Sequence, residues 1–157
     1  MTSPSVSASD VAARLSWALH RLAVANQEVD LMLSSRLGLG ASEYLALKHL
    51  MLATEPMGPV ALGRVLGISS GSATALVDRL QASGHVLRRA HPDDRRRQVV
   101  TASPASLSSL TAELEPIAQE IAALAADFTV EQQETIVRFL NATADRHRAA
   151  ARRGTHQ

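Results

Sequence analysis

The chain has 157 residues, the length of one ordinary domain, and its 46% hydrophobic and 20% charged residues exclude a disordered chain. The sequence has no cysteine, which excludes disulfides, thiolate metal sites and cysteine-based redox chemistry. The net charge is only +1, but fifteen of the sixteen cationic residues are arginines, whose planar side chains suit phosphate groups and base edges.

The N-terminal third of the sequence predicts two helices. Apolar residues at steps of three, four or seven predict a long helix from about Asp10 to Leu37. Ser42 is predicted to cap a second helix that ends near Leu52.

Residues 1–9 lack the basic start and apolar block of a signal peptide, and they are predicted to form a disordered tail. No apolar run approaches the ~18 residues of a membrane span, so we expect a cytoplasmic location and no membrane partner.

The centre of the chain has the pattern of a helix-turn-helix motif. A short helix from Val60 to Leu66 and a second helix from about Ser70 to Ser83 are separated by a turn that contains Gly67, and Gly84 is predicted to end the second helix. The outward face of the second helix carries only small or short side chains, which are Ser70, Gly71, Ser72, Thr74, Ala75 and Asp78. A solvated helix face more often carries Glu, Lys and Gln, so this face suits close approach to another surface. The alternative is a helix pair packed inside a helical protein.

The next segment changes from a helical to an alternating pattern. Two short strands are predicted at residues 85–89 and 98–102, and the turn residues Pro92, Asp93 and Asp94 lie between them. The result is a hairpin, and the order helix, turn, helix, hairpin is that of a winged helix-turn-helix. Five arginines lie between Arg88 and Arg97 on this protrusion. The alternative for them is a solvated basic face.

The C-terminal third predicts two more helices. Residues 104–128 carry apolar side chains at alternating steps of three and four, a seam that requires a helical partner, and Pro116 predicts a kink or break near Glu115. Thr129 and Gln132 fit a capping box at the start of the last helix. Because the central domain is too small to cover both terminal helical regions, we expect them to pack on the same helices of a second copy. An intramolecular pairing is the alternative.

These elements together predict a mainly α fold with a small β-hairpin wing. The winged helix-turn-helix DNA-binding domain occupies residues 41–103. A helical dimerisation region is expected at residues 10–40 and 104–150, on both sides of that domain in the sequence. Residues 151–157 are predicted to fray.

Three segments of the chain resemble the multiple antibiotic resistance regulator (MarR) family of bacterial transcription factors. Residues 76–80 are similar to its recognition helix, residues 84–89 to its first wing strand and residues 92–96 to its wing tip. The resemblance extends from about Val11 to Arg148. The sequence departs from the family pattern at Gly63, where the family usually has Ala, and at residues 102–106, where it usually reads Leu-Thr, two residues, then Gly.

The resemblance implies a homodimer on a pseudo-palindromic DNA duplex, with recognition helices in successive major grooves and wings at flanking minor grooves. It implies a ligand-responsive repressor. The residues expected at the DNA are Ser70, Ser72, Thr74 and Ala75 in the groove, Arg79, Arg88, Arg95 and Arg97 at phosphates, and Asp94 with Arg96 at the wing tip.

A small aromatic or phenolic effector is also implied. Its candidate residues are Trp17, His20, Arg21, Tyr44 and His49. Packing in the core or at an interface is the alternative for Trp17 and Tyr44.

Catalytic and cofactor motifs are missing from the sequence. None of the six histidines lies in an H-E-x-x-H pattern, and no Gly-rich phosphate loop follows a strand. We therefore expect no enzymatic activity, no cofactor and no metal. The rival from another functional class is a helical dimer that uses its winged helix to dock a protein and binds duplex DNA without sequence preference.

Overall fold

The computed structural model describes residues 7–92, 94 and 97–154. Its elements, in chain order, are α1 Ala8–Arg36, α2 Ala41–Leu52, α3 Pro59–Leu66, α4 Ser70–Ala82, β1 Val86–Ala90, β2 Gln98–Ala102, α5 Pro104–Ala125 and α6 Val130–Gly154. The predicted mainly α fold with a hairpin wing is confirmed. The chain divides into two compact units, residues 1–113 and 114–157, and the division falls inside α5.

Side-chain caps fix the starts of the first two helices. The Asp10 amide donates to Ser7 Oγ at 3.1 Å and the Ser7 amide donates to Asp10 Oδ2 at 3.3 Å, a capping box that starts α1 at Ala8. Residues 8 and 9, predicted as part of a tail, are therefore helical. The prediction of Ser42 as a cap is wrong. Gly40 is the N-cap of α2, because Glu43 Oε2 accepts its amide at 3.0 Å.

A glycine ends the first helix of the helix-turn-helix, and a serine caps the second. Gly67, at φ +68°, ends α3 in the left-handed conformation, and Ser69 caps α4 by accepting the Ser72 amide at 3.2 Å. The two helices are bent by 110° relative to each other. At the far end of α4, Gly84 has φ +76° and the His85 amide donates to the Leu80 carbonyl at 2.8 Å, so the predicted glycine stop is confirmed.

The wing is an antiparallel pair that runs from Val86 opposite Ala102 to Ala90 opposite Gln98. Strand β2 has the predicted bounds, while β1 begins and ends one residue later than predicted. The Val100 amide donates to the Met57 carbonyl at 2.8 Å, so the segment before α3 adds one antiparallel bridge to the sheet. A Cβ at Gly58 would lie 2.8 Å from the Gln98 carbonyl oxygen, so this close approach requires glycine.

One hydrophobic core lies within residues 1–113, between the C-terminal end of α1, α2, α3, α4, the sheet and the start of α5. Its largest fully buried side chains are Tyr44, Leu33, Leu62, Leu76, Leu80, Leu110, Val77 and Val86. Helix α4 turns its apolar face, which includes Ala73, into this core. The opposite face of α4 is consequently held outward.

Helix α5 contains a proline, and α6 begins with a capping box. Of the kink or break predicted near Glu115, the break is absent, since α5 is one helix through Pro116. A single proline removes one backbone hydrogen bond, and the long helical sequence on either side maintains the helix; the kink stays a prediction. The capping box at the start of α6 is confirmed, because the Thr129 amide donates to Gln132 Oε1 at 2.8 Å and the Gln132 amide donates to Thr129 Oγ1 at 3.3 Å.

Each unit leaves large apolar side chains exposed. On α1 of the first unit these are Val11, Leu15, Trp17, Leu22, Val24, Leu31 and Met32. In the second unit they are Ile121, Leu124, Phe128, Val130, Ile136, Val137, Phe139 and Leu140. Within the described residues no single helix is long and apolar enough to cross a membrane; α3 and α4 meet that criterion only together, as the bent pair.

Candidate nucleic-acid interface

The outward face of α4 is a surface of small, exposed side chains. Ser70, Ser72, Thr74 and Ala75 are all exposed, as predicted from the sequence. Ser72 Oγ lies 2.9 Å from Ser69 Oγ, and Thr74 Oγ1 donates to the Ser70 carbonyl at 3.0 Å. In this pose Thr74 offers its oxygen as an acceptor and its methyl group as an apolar contact. This face, formed by these four residues, is called the α4 face below.

Arg79 stands beside the α4 face at the junction with α2. Its Nε lies 3.4 Å from Glu43 Oε1, and its side chain is 61% exposed. The other carboxylate oxygen of Glu43 already accepts the Gly40 amide. An exposed pair at this distance contributes little to stability, so the Arg79 guanidinium is available to a phosphate.

Arg88 and Asp78 connect the wing to α4. Arg88 Nη2 donates to Asp78 Oδ1 at 2.5 Å, and the Arg88 side chain is only 23% exposed. Asp78 lies one helical turn after Thr74, with 55% of its side chain exposed. Sequence reasoning placed Arg88 at a phosphate and left this pairing out, because nothing in a linear pattern shows that residues 78 and 88 face each other.

The wing tip is described in part. The Arg97 amide donates to the Asp94 carbonyl at 2.9 Å, and the His91 amide donates to the Arg97 carbonyl at 2.9 Å. Arg97 is exposed. Arg95 and Arg96 lie outside the described residues, so their roles and the pairing of Asp94 with Arg96 stay predictions.

The effector candidates do not form one pocket in the described structure. Trp17 and His20 contact each other on α1, with ring centroids 5.9 Å apart at 63°, and Trp17 is 70% exposed. Trp17 and Arg21 border a shallow groove along α1. Tyr44 is instead buried in the core at 2% exposure, and burial, with the nearby Asp30 carboxylate, raises its pKa to about 12. His49 does not border this groove.

Sequence reasoning missed a cavity of about 200 Å³ within residues 1–113. Its walls come from the α1–α2 connection, α2, the α4–β1 turn and the start of α5. The residues that line it are Leu37, Leu39, Leu47, Ser83, Gly84, His85, Ala105, Ser106 and Ser109. His85 Nδ1 lies 2.9 Å from Ser106 Oγ across one wall. Because four separate segments build this cavity, no local sequence pattern signals it.

Over the described ranges, no group of three or more His, Cys, Asp or Glu side chains is arranged to hold a metal ion.

Comparison with known proteins agrees with this geometry. A model of the MarR family matches residues 37–97, which span α2 through the wing tip. These residues are similar to the MarR family. The matched MarR segment contains the whole α4 face, Arg79, Asp78 and Arg88. It ends before residues 102–106, where the sequence departs from the usual family pattern.

One curated relative is named as a helix-turn-helix transcriptional regulator. The HTH-type transcriptional regulator YcgE of Bacillus subtilis (strain 168) is 39% identical over 90 residues, which are 57% of this chain and 58% of that protein. The match thus spans little more than half the length of this relative.

Solved structures of regulators share the MarR fold. BldR from Sulfolobus solfataricus aligns with a TM-score of 0.59 at 24% identity, covering 89% of this chain and 99% of that one. A mutant of S. aureus MepR bound to an oligodeoxyribonucleotide aligns with a TM-score of 0.54 at 14% identity, covering 83% and 96%. At these identities the likeness shows the fold alone, a mainly helical chain with a hairpin wing.

Proposed function

We propose that this protein is a transcriptional regulator that binds duplex DNA sequence-specifically as a homodimer, on a pseudo-palindromic operator. The observation that carries this proposal is the exposed α4 face at the outer edge of a MarR-family winged helix. Small side chains allow the helix backbone to approach base edges, and hydroxyl and methyl groups match the donors, acceptors and thymine methyl of the major groove.

Exposed arginines border the α4 face on both sides. Arg79 lies at the α2 junction and Arg97 on the wing, so both can reach the phosphates that flank a groove. Arg95 is proposed as a further phosphate contact, and Asp94 with Arg96 as the wing-tip element in the minor groove. Phosphate contacts orient the protein on the duplex, while the α4 face reads the sequence.

The proposed homodimer uses the exposed apolar faces of the two units. Seven or more large apolar side chains are exposed on α1, and as many on α5 and α6 together, which is more than isolated surface residues account for. A second copy of the chain carries the same faces, and a two-fold dimer of helical faces is the commonest solution to such exposure.

Repression and ligand response complete the proposal, and they rest on similarity to the family. A small aromatic or phenolic effector is proposed to shift the dimer away from its DNA-binding geometry. Trp17, His20 and Arg21 on α1 are proposed to contact it, with Tyr44 and His49 on α2 retained as candidates.

Selection from a library of random duplexes tests the DNA-binding proposal. The wild-type protein should enrich a pseudo-palindrome whose half-sites are centred about one helical turn apart, at roughly 10 base pairs. Competition at one fixed salt concentration should then show preference for the selected duplex over a scrambled one. Recovery of no shared sequence would instead favour the rival function, a winged helix that docks protein.

A further inference from the structure

Strand β1 points Arg88 toward the protein. Side chains alternate along the strand, so Val86, which is fully buried, and Arg88 share the inner face, while Leu87 and Arg89 are exposed on the other. The inner face of this strand packs on α4. A phosphate contact would be expected from the outer face or from the wing tip.

A hydrogen bond and partial burial hold the Arg88 guanidinium on this inner face. Its Nη2 donates to Asp78 Oδ1, and its Nε is buried without a hydrogen-bond partner among the described residues. A half-buried guanidinium depends on its counter-charge, since removing one partner of such a pair leaves the other charge uncompensated. Moving Arg88 outward to a phosphate would require breaking its hydrogen bond to Asp78.

The pairing with Arg88 also affects the charge beside the α4 face, because Asp78 is a carboxylate. It is the one acidic residue in the sequence of α4 and lies one turn beyond Thr74, so it stands next to the α4 face. A carboxylate at that position repels DNA phosphates unless a cation neutralises it. Arg88 neutralises it from within the protein.

We infer that Asp78 and Arg88 are positioning residues, which hold the wing at a fixed place against α4 and neutralise the carboxylate beside the α4 face. This inference rests on the proposed function and replaces the phosphate contact expected for Arg88 from the sequence. The pair joins the element proposed to read the major groove to the element proposed to reach the minor groove. Breaking it should loosen the wing without removing any DNA contact.

The test uses the full-length protein with the duplex recovered by selection and a scrambled duplex of equal length. Asp78→Ala removes a negative charge beside the DNA, and charge alone therefore predicts tighter binding. The positioning role predicts about tenfold weaker binding to the selected duplex. Arg88→Ala should weaken it at least as much, and the double variant should be no weaker than Arg88→Ala alone, because both changes break the same pair.

Salt dependence separates positioning from phosphate contact. Arg97→Ala, which removes the same charge from the exposed wing tip, should flatten the slope of log affinity against log salt by about 0.9. Arg88→Ala should leave the wild-type slope. Tighter binding by Asp78→Ala, or a slope flattened by Arg88→Ala as much as by Arg97→Ala, would overturn the inference.

Footprinting distinguishes positioning from a general structural role. At protein concentrations that saturate the duplex, Asp78→Ala should protect the same flanking minor-groove and central major-groove positions as the wild type, and it should retain the wild-type unfolding midpoint. Uniform loss of protection together with a lowered midpoint would also overturn the inference. If Arg88→Ala does not fold, Asp78→Ala carries the test, since Asp78 is more than half exposed. Failure of the wild type to prefer the selected duplex would refute the proposed function instead.

Discussion

Tyr44 is the single tyrosine of the chain, and it lies in the core beside an ion pair between α1 and α2. Lys48 Nζ donates to both oxygens of Asp30 at 2.7 Å. The Tyr44 hydroxyl has no hydrogen-bond partner within the described residues. Burial disfavours the phenolate, and the Asp30 carboxylate disfavours it further, which is why the pKa rises from 10.0 to about 12.

The raised pKa of Tyr44 predicts a loss of stability at high pH. Between pH 10 and 12 the folded state retains a proton that the unfolded state releases, so the free energy of unfolding falls as pH rises. The contribution is complete below pH 10, and its loss over the window amounts to about 2–3 kcal/mol. Chemical unfolding of the wild type and Tyr44→Phe across this range isolates the contribution of the Tyr44 hydroxyl.

Because the chain has one tyrosine, tyrosinate absorbance reports this group directly. The folded wild type should titrate near pH 12 and the unfolded chain near pH 10. A folded-state midpoint at 10 would contradict the burial argument.

Asp94 at the wing tip provides a second prediction at the scale of one residue. If its carboxylate orients the Arg96 guanidinium, less side-chain entropy is lost on binding, and Asp94→Ala should weaken specific binding even though it removes a negative charge near DNA. Its backbone carbonyl, which accepts the Arg97 amide, is retained in this variant. Equilibrium binding at fixed salt measures the change, and tighter binding with an unchanged unfolding midpoint would refute the orienting role.

At the scale of elements, α3 and α4 cross closely at Gly63. A Cβ at this position would lie 2.8 Å from Ala73 Cβ and 3.3 Å from the Ile68 carbonyl oxygen. Glycine therefore sets how near the two helices of the motif can approach. The MarR family usually has alanine here, and alanine would require the helices to separate.

Gly63→Ala should consequently destabilise the protein. The better helix propensity of alanine contributes about 0.5–1 kcal/mol, but overpacking against the backbone-proximal Ala73 methyl costs about 1–3 kcal/mol. Gly71→Ala is the matched control on α4, since its nearest neighbour would be Ser69 Oγ at 4.0 Å. Denaturant unfolding should show a loss for the first variant and none for the second; equal stability of Gly63→Ala and the wild type would contradict the close crossing.

Helix spacing and turn residues made much of the winged helix predictable. The apolar face of α4, its Ser69 cap and its Gly84 stop follow from local rules, and so does the exposure of the α4 face. The cap of α2 did not follow, because Glu43 reaches back to Gly40 and leaves Ser42 unused. The Asp78–Arg88 pair and the cavity beside His85 depend on which segments meet in three dimensions, and no periodicity encodes that.

At the scale of the whole molecule, the exposed apolar faces predict a dimer. Sedimentation equilibrium at low micromolar concentration should give twice the chain mass of 16.7 kDa. Ile136→Glu, which places a charge on the apolar face of α6, should shift the protein toward monomer and lower its DNA affinity, because each half-site alone binds weakly. Leu52→Glu is the control, an exposed leucine at the end of α2 outside these faces. A folded wild-type monomer at that concentration would contradict the dimer.

Reading of DNA sequence by the α4 face is the central claim, and parallel selections test it most directly. Wild type, Thr74→Ala and Ser108→Ala, an exposed serine of α5, should be selected on the same random duplex library at one salt concentration. The account predicts that Thr74→Ala changes or relaxes the preferred base at a defined position in each half-site, with about 1–3 kcal/mol less discrimination there. Ser108→Ala should recover the wild-type sequence. Identical selected sequences for all three proteins would contradict the claim.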